Sequence, residues 1–489
     1  MLGGILARYA NMSIPPEHRA RFFVEGEARL TFTRLLMEDL PDAEIYLVGG
    51  TLRDVMIGRM PNDIDLVVRN VEPEKLENWL NRHGAAEFVG RFGTYKFVPH
   101  GCQGKDSIDI ALPRTERIGE GHAGGRSDMD VKFDAFLPIK EDLSRRDFTI
   151  NAMAYSLSTG RLIDPFLGLH DLQAGVISAV LIPEQRFFED ATRMLRALRL
   201  ASQLCFGIES HTWTAIVKNI PRLNNTTITE EGKNVFAVPR EAIGKEFLLG
   251  FADHPVHTVR LWADCGALHL YMPALAELED VAEQNGNRAL EQTLTVLNLL
   301  MKPMFLETHG YKKPPATVLV AGLLSYLKGD AVDQAYQICR NLYFHQFDRN
   351  HNAYVNCEDV LWLLEHVNHF ETHDPSGMRP SEFEDHFMNE RGRQLLLLMH
   401  AYFVASGTHT VARERLHVAM RIADEFATMG EGRTRVPKLI SGRDIQALNI
   451  PPGPVYRDLE RMVRDAQLAH RVHTPDEAKE LLRQLIRQL

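Results

Sequence analysis

The feature that most constrains this chain is a pair of glycines followed by two closely spaced aspartates, in the segment Tyr46–Val68. A short apolar strand ends at Gly49 and Gly50, and two glycines at a strand end let the backbone approach a phosphate group closely. A second predicted strand carries Asp63 and Asp65, which lie two residues apart and therefore project from the same face. The segment thus predicts a phosphate-binding turn beside a pair of carboxylates, within an α/β fold.

The two carboxylates also predict a metal site. They repel each other unless a cation lies between them, and hard oxygen ligands of this kind suit Mg²⁺. An Asp-x-Asp sequence alone more often only ends a surface strand. Here it follows a short predicted helix with Arg53 and Asp54 in its first turn, and a metal beside a phosphate-binding turn is the machinery of nucleotidyl transfer. Asp109, in the alternating segment SIDIAL, is either a third carboxylate of the same cleft or an ordinary edge-strand residue.

The segment EDLSRRDFTINAMA places paired arginines, Arg145 and Arg146, directly before Asp147. We predict that an apolar helix follows, with Asn151 one turn further on. Arginine suits bidentate contact with phosphate oxygens, so Arg146 is a candidate for gripping a triphosphate. The alternative is a helix N-terminus with solvated charged flanks.

The segment EDATRMLRALR carries Asp190, Arg193 and Arg196 at three-residue spacing. On a predicted helix these side chains line one face. Aspartate offers acceptors and arginine offers donors, so the set matches the hydrogen-bonding edge of a base and allows a nucleotide to be selected without a template. The alternative is an ordinary ladder of surface ion pairs.

These three segments, in this order and spacing, resemble the class II (bacterial-type) tRNA nucleotidyltransferase and poly(A) polymerase family, and most of all its CCA-adding members. The resemblance implies an α/β nucleotidyltransferase head with a mixed sheet, followed by an all-α neck, body and tail. It divides the chain into an N-terminal extension without regular structure (1–26), a head (27–170), a neck with the nucleotide-recognition helix (171–250), a helical body (251–430) and a tRNA-binding tail (431–489).

The resemblance also implies roles for individual residues. Asp63 and Asp65 are implied as Mg²⁺ ligands and, with Asp109, as catalytic residues. The implied nucleotide-binding residues are Gly49, Gly50, Arg53, Arg146, Asp147, Asn151, Asp190, Arg193 and Arg196. The implied reaction is template-independent addition of C, C and A to the 3′ end of tRNA from CTP and ATP, with two-metal chemistry and release of pyrophosphate.

Several features bear on which family member this is. The Gly-rich segment 113–138 occupies the place of the family's flexible loop, which disfavours an enzyme that adds only CC. Addition of A alone and poly(A) synthesis stay open, and a catalytically silent RNA-binding protein is a more remote alternative. In the body, Gln292, Ser325 and Tyr326 stand where related phosphohydrolase modules have metal ligands, so we predict that this chemistry is lost.

Composition sets wider limits. The chain has 489 residues, 45% of them hydrophobic, and five scattered cysteines without a CxxC sequence, which favours a globular protein of a reducing cytoplasm over a disulfide scaffold. No stretch is apolar enough to predict a membrane span. The net charge of −10 is concentrated at residues 358–390, which hold nine acids and one base. We expect that patch to face away from RNA, because phosphate contacts need Lys and Arg only at the interface.

Overall fold

The computed structural model describes residues 15–90, 93–119, 123–125, 129–228, 232–283, 286, 288–346, 355–407, 409–430, 436–450 and 453–488. The chain divides into two compact units, Met1–Ala267 and Leu268–Leu489. The first contains the mixed sheet, and the described part of the second is helical. The predicted fold class, a mixed-sheet head followed by a helical region, is confirmed. The finer five-part division stays a prediction.

The first unit is built around a seven-stranded sheet with the order β3-β4-β5-β2-β1-β8-β9. Strands β2 and β5 run parallel and the other neighbours run antiparallel. The described strands of this unit are β1 (Glu44–Val48), β2 (Ile64–Arg69), β3 (Gly84–Val89), β4 (Thr94–Pro99), β5 (Ile108–Ala111), β6 (Arg114–Ile118), β7 (Met129–Phe133), β8 (Ala154–Ser156), β9 (Leu162–Ile163), β10 (Val176–Ile177), β11 (Gly207–Ile208), β12 (Thr226–Ile228) and β13 (Asn234–Phe236).

Helices cover the sheet and continue beyond it in the same unit. They are α1 (Pro16–Gly26), α2 (Phe32–Asp39), α3 (Gly49–Met56), α4 (Pro73–His83), α5 (Ile139–Ser144), α6 (Gly168–Ala174), α7 (Pro183–Glu189), α8 (Thr192–Leu204), α9 (Ser210–Asn219), α10 (Arg240–Phe251) and α11 (Pro255–Asp264). Helix α8 buries its apolar stripe and packs against α10 and α11.

The central strands position the site because their apolar residues fix the sheet in the core. Tyr46 and Val48 of β1 pack with Val67 of β2 and with Ala152 and Ala154 next to and within β8. Strand β1 then ends directly at the Gly-Gly turn. Since β2 and β5 are parallel, their amino ends meet at the same edge of the sheet.

Apart from an isolated bridge between Ala282 and Arg288, the regular elements among the described residues of the second unit are helices. They are α12 (Ala267–Tyr271, whose first residue belongs to the first unit), α13 (Pro273–Ala276), α14 (Ala289–Leu300), α15 (Pro303–Glu307), α16 (Ala316–Leu324), α17 (Ala331–Asn341), α18 (Cys357–His366), α19 (His369–Thr372), α20 (Pro380–Phe387), α21 (Glu390–Ser406), α22 (Thr410–Met429), α23 (Gly442–Gln446), α24 (Pro454–Leu468) and α25 (Pro475–Ile486). The last three form an apolar cluster with Ile445, Leu459 and Leu482 at its centre.

The structure corrects several local predictions. The extension 1–26 is not without regular structure in its described part, because Pro16–Gly26 is a helix whose first residue is the proline. The neck, 171–250, is not all-α, since it contains the pair β10–β11 and the hairpin β12–β13. The Gly-rich segment 113–138 contains the antiparallel pair β6–β7, while residues 120–122 and 126–128 lie outside the described residues.

Candidate active site

The glycine turn lies at the junction of β1 and α3. Helix α3 begins at Gly49 itself, so Arg53 lies in its second turn. The sequence analysis had predicted Arg53 in the first turn. Gly49 has a φ of +64°, which favours glycine, and a Cβ there would lie 3.1 Å from Nη1 of Arg146 and 3.3 Å from Oδ2 of Asp65. The turn therefore places the backbone of Gly49, the Arg146 guanidinium and the Asp65 carboxylate so close together that a side chain at position 49 would contact both groups.

A threonine on α3 connects this turn to the aspartates. The Thr51 hydroxyl donates to the carbonyl oxygen of Asp63 at 3.0 Å and accepts from the amide of Asp65 at 2.9 Å. Strand β2 begins at Ile64, so Asp63 directly precedes the strand instead of lying on it. The Thr51 bonds fix the backbone on both sides of Ile64 and hold the two aspartates in place.

The third carboxylate, Asp109, lies beside the other two. In the parallel register of β2 and β5 it pairs with Asp65, so both side chains project from the same face of the sheet. Burial raises the pKa of Asp65 to about 6; Arg146 opposes the shift, and the charges of Asp109 and Asp63 add to it. Burial also raises the pKa of Asp109, against the opposing charge of Lys96. Both shifts indicate that the surroundings of these carboxylates supply too little positive charge to offset the effect of burial on their pKa values.

That deficit of positive charge is what a divalent cation supplies, and the donors are hard oxygens. Within the described ranges there is no group of three or more His, Cys, Asp or Glu side chains placed to hold a metal ion. Mg²⁺ is commonly bound by one or two carboxylates together with substrate phosphates and water. The predicted ligands Asp63 and Asp65 fit that mode of binding.

The Arg-Arg-Asp segment has a different local structure from the one predicted. No apolar helix follows it; a single 3-10 turn, Thr149–Asn151, leads into strand β8. Arg146 donates from Nη1 to the carbonyl oxygen of Asn151 and from Nη2 to Asp142, both at 3.3 Å. Asp142 is fully buried and also pairs with Arg145. It thereby fixes both arginines at the edge of the cleft.

Hydrogen bonds connect the three predicted segments. Arg53 Nη1 donates to Asn151 Oδ1 at 2.9 Å, and Asn151 Nδ2 donates to Asp147 Oδ1 at 3.1 Å. The other oxygen of Asp147 accepts from Nε of Arg196 at 2.9 Å. Burial alone would raise the pKa of Asp147, but Arg196 and Asn151 outweigh it and hold that pKa well below its usual range.

Asp190 lies between two helices and not on the face of one. Helix α7 ends at Glu189 and α8 begins at Thr192, whose amide donates to Asp190 Oδ1 at 2.9 Å. Aspartate favours such a bond to the amide two residues further on over a helix interior, because its short side chain competes for backbone N–H groups. The prediction that Asp190, Arg193 and Arg196 share one helical face is therefore wrong for Asp190.

Arg193 is held by several acceptors. Its Nη1 donates to Glu189 at 2.7 Å, and its Nη2 donates to the carbonyl oxygen of Arg145 at 2.8 Å. Glu116 on β6 lies 3.7 Å from Nη2 and pairs with Arg145 at 2.9 Å. Burial would raise the pKa of Glu116, but Arg145, Arg114 and Arg193 lower it overall.

Glu116 is a site residue that the sequence analysis missed. It connects the Arg-Arg-Asp segment to helix α8 from a strand in the middle of a charged, Gly-rich stretch. The alternation of side chains in RTERI is the one local signal that would have indicated a strand there. Lys96 was also missed, because its place opposite Asp109 is set by the pairing of β4 with β5 and not by the local sequence.

These groups surround a cleft of about 740 Å³ within the first unit. Among the described residues, its lining includes every predicted site residue except Arg53 and Asp63. Asp63 is exposed but close enough to influence the charge of Asp65, and Arg53 acts on the lining through Asn151. The predicted site residues in the lining are Gly49, Gly50, Asp65, Asp109, Arg146, Asp147, Asn151, Asp190, Arg193 and Arg196.

Residues 45–178 match the model of the poly A polymerase head domain. The CCA-adding enzyme of Lactiplantibacillus plantarum is 37% identical over 243 residues, which are 49% of this chain and 53% of that protein. Poly(A) polymerase I of Haemophilus influenzae is 31% identical over 238 residues, 48% of this chain and 49% of that protein. The chain thus spans about half the length of the curated relatives it matches.

Solved structures match nearly the whole chain. A CCA-adding enzyme in its apo form II has a TM-score of 0.63 at 20% identity, covering 96% of this chain and 98% of that one. The Thermotoga maritima CCA-adding enzyme complexed with tRNA has a TM-score of 0.59 at 20% identity, covering 94% and 95%. The Bacillus stearothermophilus CCA-adding enzyme in complex with CTP has a TM-score of 0.59 at 21% identity, covering 97% and 98%.

The structural likenesses show the fold of the chain. The family match covers the part that contains the sheet. No helix of the described ranges is long and apolar enough to cross a membrane. Residues 45–178 belong to the poly A polymerase head-domain family, on a chain whose fold is that of the CCA-adding enzymes.

Proposed function

We propose that this chain adds C, C and A to the 3′ end of tRNA, using CTP and ATP and releasing pyrophosphate. The observation that supports this most strongly is the set of three carboxylates at the glycine turn. Asp65 on β2 pairs with Asp109 on β5, and Asp63 precedes Asp65 by two residues. Arg146 lies against the glycine turn beside them. Curated relatives named CCA-adding enzymes and structural neighbours bound to tRNA and CTP support the choice of substrates.

The triphosphate binds, in this proposal, between the glycine turn and the arginines. The free N–H groups of the first turn of α3 begin at Gly49 and Gly50, and a helix N-terminus favours anions. Arg146 lies next to Gly49 and is oriented by Asp142, so its guanidinium is fixed before the nucleotide arrives. The fixed cation neutralises charge on the phosphates at little cost in side-chain entropy.

The reaction forms a bond between the terminal 3′ oxygen of tRNA and the α-phosphorus, and it breaks the bond from that phosphorus to the β-phosphate bridge oxygen. Asp63 and Asp65 would hold Mg²⁺, with Asp109 beside them. When bound, Mg²⁺ supplies charge stabilisation for the attacking and the leaving oxygen, as in two-metal sites generally. Asp65, whose pKa is raised to about 6, becomes fully ionised when that positive charge is present.

The base is selected, in this proposal, by Asp190 and Arg193, with Arg196 alongside. Asp190 uses Oδ1 to cap α8, which leaves Oδ2 for a donor on the base edge. Arg193 already contacts Glu189 and the Arg145 carbonyl, so it exchanges one of these acceptors for the base. Both CTP and ATP carry an exocyclic amino group, which explains why one acceptor and one donor serve two nucleotides.

Two other products remain candidates within the family. The 31% identity to a poly(A) polymerase favours, as second candidate, the addition of A residues to RNA. An enzyme that adds only the terminal A to tRNA is also compatible with segment 113–138. A catalytically silent RNA-binding protein is less consistent with the site, because such a protein has no need to hold Asp63, Asp65 and Asp109 together against their mutual repulsion.

The roles of the second unit rest on the sequence alone. We propose that the tail, 431–489, contributes to tRNA binding. The acidic segment 358–390 is proposed to face away from RNA. The body, 251–430, is proposed to have lost phosphohydrolase chemistry because Gln292 is buried where a histidine ligand would be expected.

The products can be separated with four RNA substrates. Purified protein and Mg²⁺ are incubated with CTP, ATP or both, and with tRNA that ends at the discriminator base, in C or in CC, and with an unrelated RNA. We expect C, C and A to be added in turn to tRNA. Addition of A only to tRNA ending in CC supports the A-adding alternative, and long A tails on unrelated RNA support the polymerase. No incorporation on any substrate contradicts all the enzymatic proposals.

A further inference from the structure

One lysine of the cleft is not used by the nucleotidyl transfer proposed above. Lys96 on β4 lines the cleft and is exposed. Its neighbours on the strand, Tyr95 and Phe97, are buried, and Phe97 packs edge-on against Phe32 of α2 with ring centroids 5.0 Å apart. Because successive side chains of a strand point to opposite faces, burial of these two rings directs Lys96 to the cleft face of the sheet.

Lys96 continues a row of charged side chains across three adjacent strands. Asp65 on β2 pairs with Asp109 on β5, and Asp109 pairs in turn with Lys96 on β4. Since neighbouring strands lie about 4.8 Å apart, the Cα atoms of Lys96 and Asp65 are about 10 Å apart. The glycine turn follows β1, which is on the opposite side of β2 from β5. The carboxylates therefore lie between two cations, with Arg146 at the glycine turn on one side and Lys96 on the other.

The Lys96 ammonium is available to a bound ligand. Among the residues that the structure describes, it donates no hydrogen bond and forms no ion pair, although Asp109 and Glu87 flank it on the neighbouring strands. By contrast, Arg145 is held by Glu116 and Arg193 by an acidic residue of α7. An exposed lysine without a fixed acceptor can give its charge to a substrate at little cost in lost contacts.

We propose, on the basis of the proposed nucleotidyl transfer, that Lys96 binds the last internucleotide phosphate of the RNA and so positions the attacking 3′ oxygen. In an in-line displacement the attacking and the leaving oxygens lie on opposite sides of the phosphorus. The pyrophosphate leaves on the side of the glycine turn, where the triphosphate is held. The 3′ oxygen therefore enters from the side of β5 and β4, and the phosphate of the same terminal nucleotide follows it, next to Lys96.

The contact recognises charge and not sequence. A lysine ammonium is a point charge that binds a phosphate whatever base is attached to it. The same contact therefore serves RNA that ends at the discriminator base, in C or in CC. It also serves each of the products that remain candidates, because all of them extend the 3′ end of an RNA.

A double-mutant cycle between the protein and the RNA tests the contact. The full chain, as wild type or as Lys96→Met, is titrated with an acceptor-stem hairpin that ends in CC, in Mg²⁺ and without nucleotide. The last internucleotide linkage of the hairpin is either a normal phosphate or an uncharged methylphosphonate. We expect either change alone to weaken binding about fivefold, and Lys96→Met to cost less than about twofold once the phosphate is neutral. The slope of log affinity against log salt should also be shallower by about 0.7 in Lys96→Met.

Two further variants show whether the effect belongs to the charge at this position. Lys96→Arg should keep the coupling because it keeps the positive charge. Lys245→Met, which removes another lysine of the cleft lining, on α10, should show no coupling with this phosphate. With tRNA ending in CC, Lys96→Met should lower kcat/KM for the RNA and leave the KM for ATP unchanged. Additive effects of the two changes, coupling at Lys245 instead, or a rise in the KM for ATP alone would overturn the proposal.

The fate of this contact is separable from that of the proposed reaction. Absence of incorporation by the wild type on every RNA contradicts nucleotidyl transfer, and the binding cycle still decides whether Lys96 contacts the RNA end. Incorporation together with an additive cycle contradicts only the role of Lys96. Equal affinity of the wild-type protein for the two hairpins overturns the contact even where a variant does not fold.

Discussion

The first unit buries networks of charged arginines and carboxylates, whereas the second unit combines the buried ion pair of Arg464 and Glu384 with clusters of neutral histidines. In the first unit, guanidinium groups surround carboxylates: Asp142 lies between Arg145 and Arg146, and Asp147 pairs with Arg196. These arginines outweigh burial and lower the pKa of both carboxyl groups, which therefore stay ionised. The result is a cleft whose arginine side chains are held in place by buried carboxylates.

The second unit also contains clusters of histidines, most of which are half-buried. His369 stacks on His373 with ring centroids 4.2 Å apart and on His386 at 5.2 Å, and burial with these neighbours lowers the pKa of His369 to about 4. His309 Nε2 and His400 Nδ1 lie within hydrogen-bond distance at 2.9 Å, and burial lowers the pKa of each to about 4. His309, His369 and His400 are therefore neutral at pH 7.

The charged network of the first unit and the histidine clusters of the second show that interior polar groups serve two purposes in this chain. A charged network needs a partner for every charge, and it is worth keeping where a charged ligand binds. A neutral cluster fills space and supplies hydrogen bonds without permanent charge. The charged network and the neutral histidine clusters are therefore expected to respond differently to mutation and to acid.

The largest effect is expected from breaking one buried ion pair in each unit. Arg464 in the second unit pairs with Glu384, and both side chains are nearly fully buried. Arg464→Met leaves that carboxylate unpaired and should cost about 3 kcal/mol of unfolding free energy. Arg196→Met should cost less, since 37% of the Arg196 side chain is exposed, but it should raise the KM for CTP.

Chemical denaturation and steady-state kinetics on both variants measure this contrast. Arg464→Met should leave the KM for CTP unchanged, which makes it the matched control for Arg196→Met. Equal KM values in the two variants would contradict the assignment of Asp147 and Arg196 to the nucleotide cleft.

Acid should unfold the second unit before the first. A histidine whose folded pKa is about 4 contributes stability that is complete above its unfolded value of 6.5 and is lost as the pH falls towards 4. Asp142 and Glu116 have lowered folded pKa values, so their contribution is lost only below their unfolded values, near pH 4. The second unit is therefore expected to lose stability between pH 6.5 and 4, while the first keeps it.

Tryptophan fluorescence separates the two units. Trp362 stacks on His366 at 4.3 Å in the second unit, and the other tryptophans are in the first. The difference between wild type and Trp362→Phe isolates the signal of the second unit during urea unfolding at each pH. A midpoint for Trp362 that does not change between pH 7 and pH 5 would refute the neutral-imidazole account.

Asp190→Ala should relax the choice between CTP and ATP. Removing the acceptor takes away one hydrogen bond to the base edge, worth roughly 1 to 3 kcal/mol of discrimination. The ratio of kcat/KM for the two nucleotides, on tRNA ending in C and in CC, measures it. Thr192→Ala is the matched control because it removes the hydroxyl that donates to Asp190 Oδ1 but keeps both the backbone amide that also donates there and the carboxylate itself. An unchanged ratio in Asp190→Ala would argue against base reading.

The smallest effect is expected from Glu116→Gln. The amide keeps the shape of the side chain but removes the negative charge that orients Arg145 and Arg193. We expect KM for the nucleotide to rise about threefold while kcat changes little, in line with the loss of a weakly screened ion pair worth ~0.7 kcal/mol. Glu17→Gln, at an exposed position, serves as control. A pure loss of kcat would indicate that Glu116 acts in the chemical step.

The sequence predicted those parts of the site that depend on local geometry. Gly49 with Gly50, and Asp63 with Asp65, are close in the chain, and their spacing alone indicated a turn beside two carboxylates. The position of Asp109 depends on the parallel register of β2 and β5, which involves residues far apart in the chain. For that reason the sequence left its role open.

The wrong local predictions have a common cause, which is that tertiary contacts outweighed the local sequence pattern. The segment that ends at Ala154 looks helical by composition, but pairing of β8 with β1 draws Ala154 into the sheet. Asp190 continues a helical pattern in the sequence. In the structure it lies between α7 and α8, where its carboxylate accepts a hydrogen bond from the Thr192 amide. Glu116 was invisible for a similar reason, since its importance comes from arginines on two other segments.

The central claim is that Asp63, Asp65 and Asp109 form the centre of nucleotidyl transfer in the first unit. Its most direct test measures incorporation of labelled CMP into tRNA that ends at the discriminator base, by wild-type protein and by Asp63→Ala, with tRNA affinity measured in parallel. We expect Asp63→Ala to lose at least about a thousandfold in incorporation, because it removes a group that acts on charge developing at the reacting oxygens, while tRNA affinity stays within a factor of about two. Retained incorporation, or an equal loss of binding and turnover, would contradict the claim.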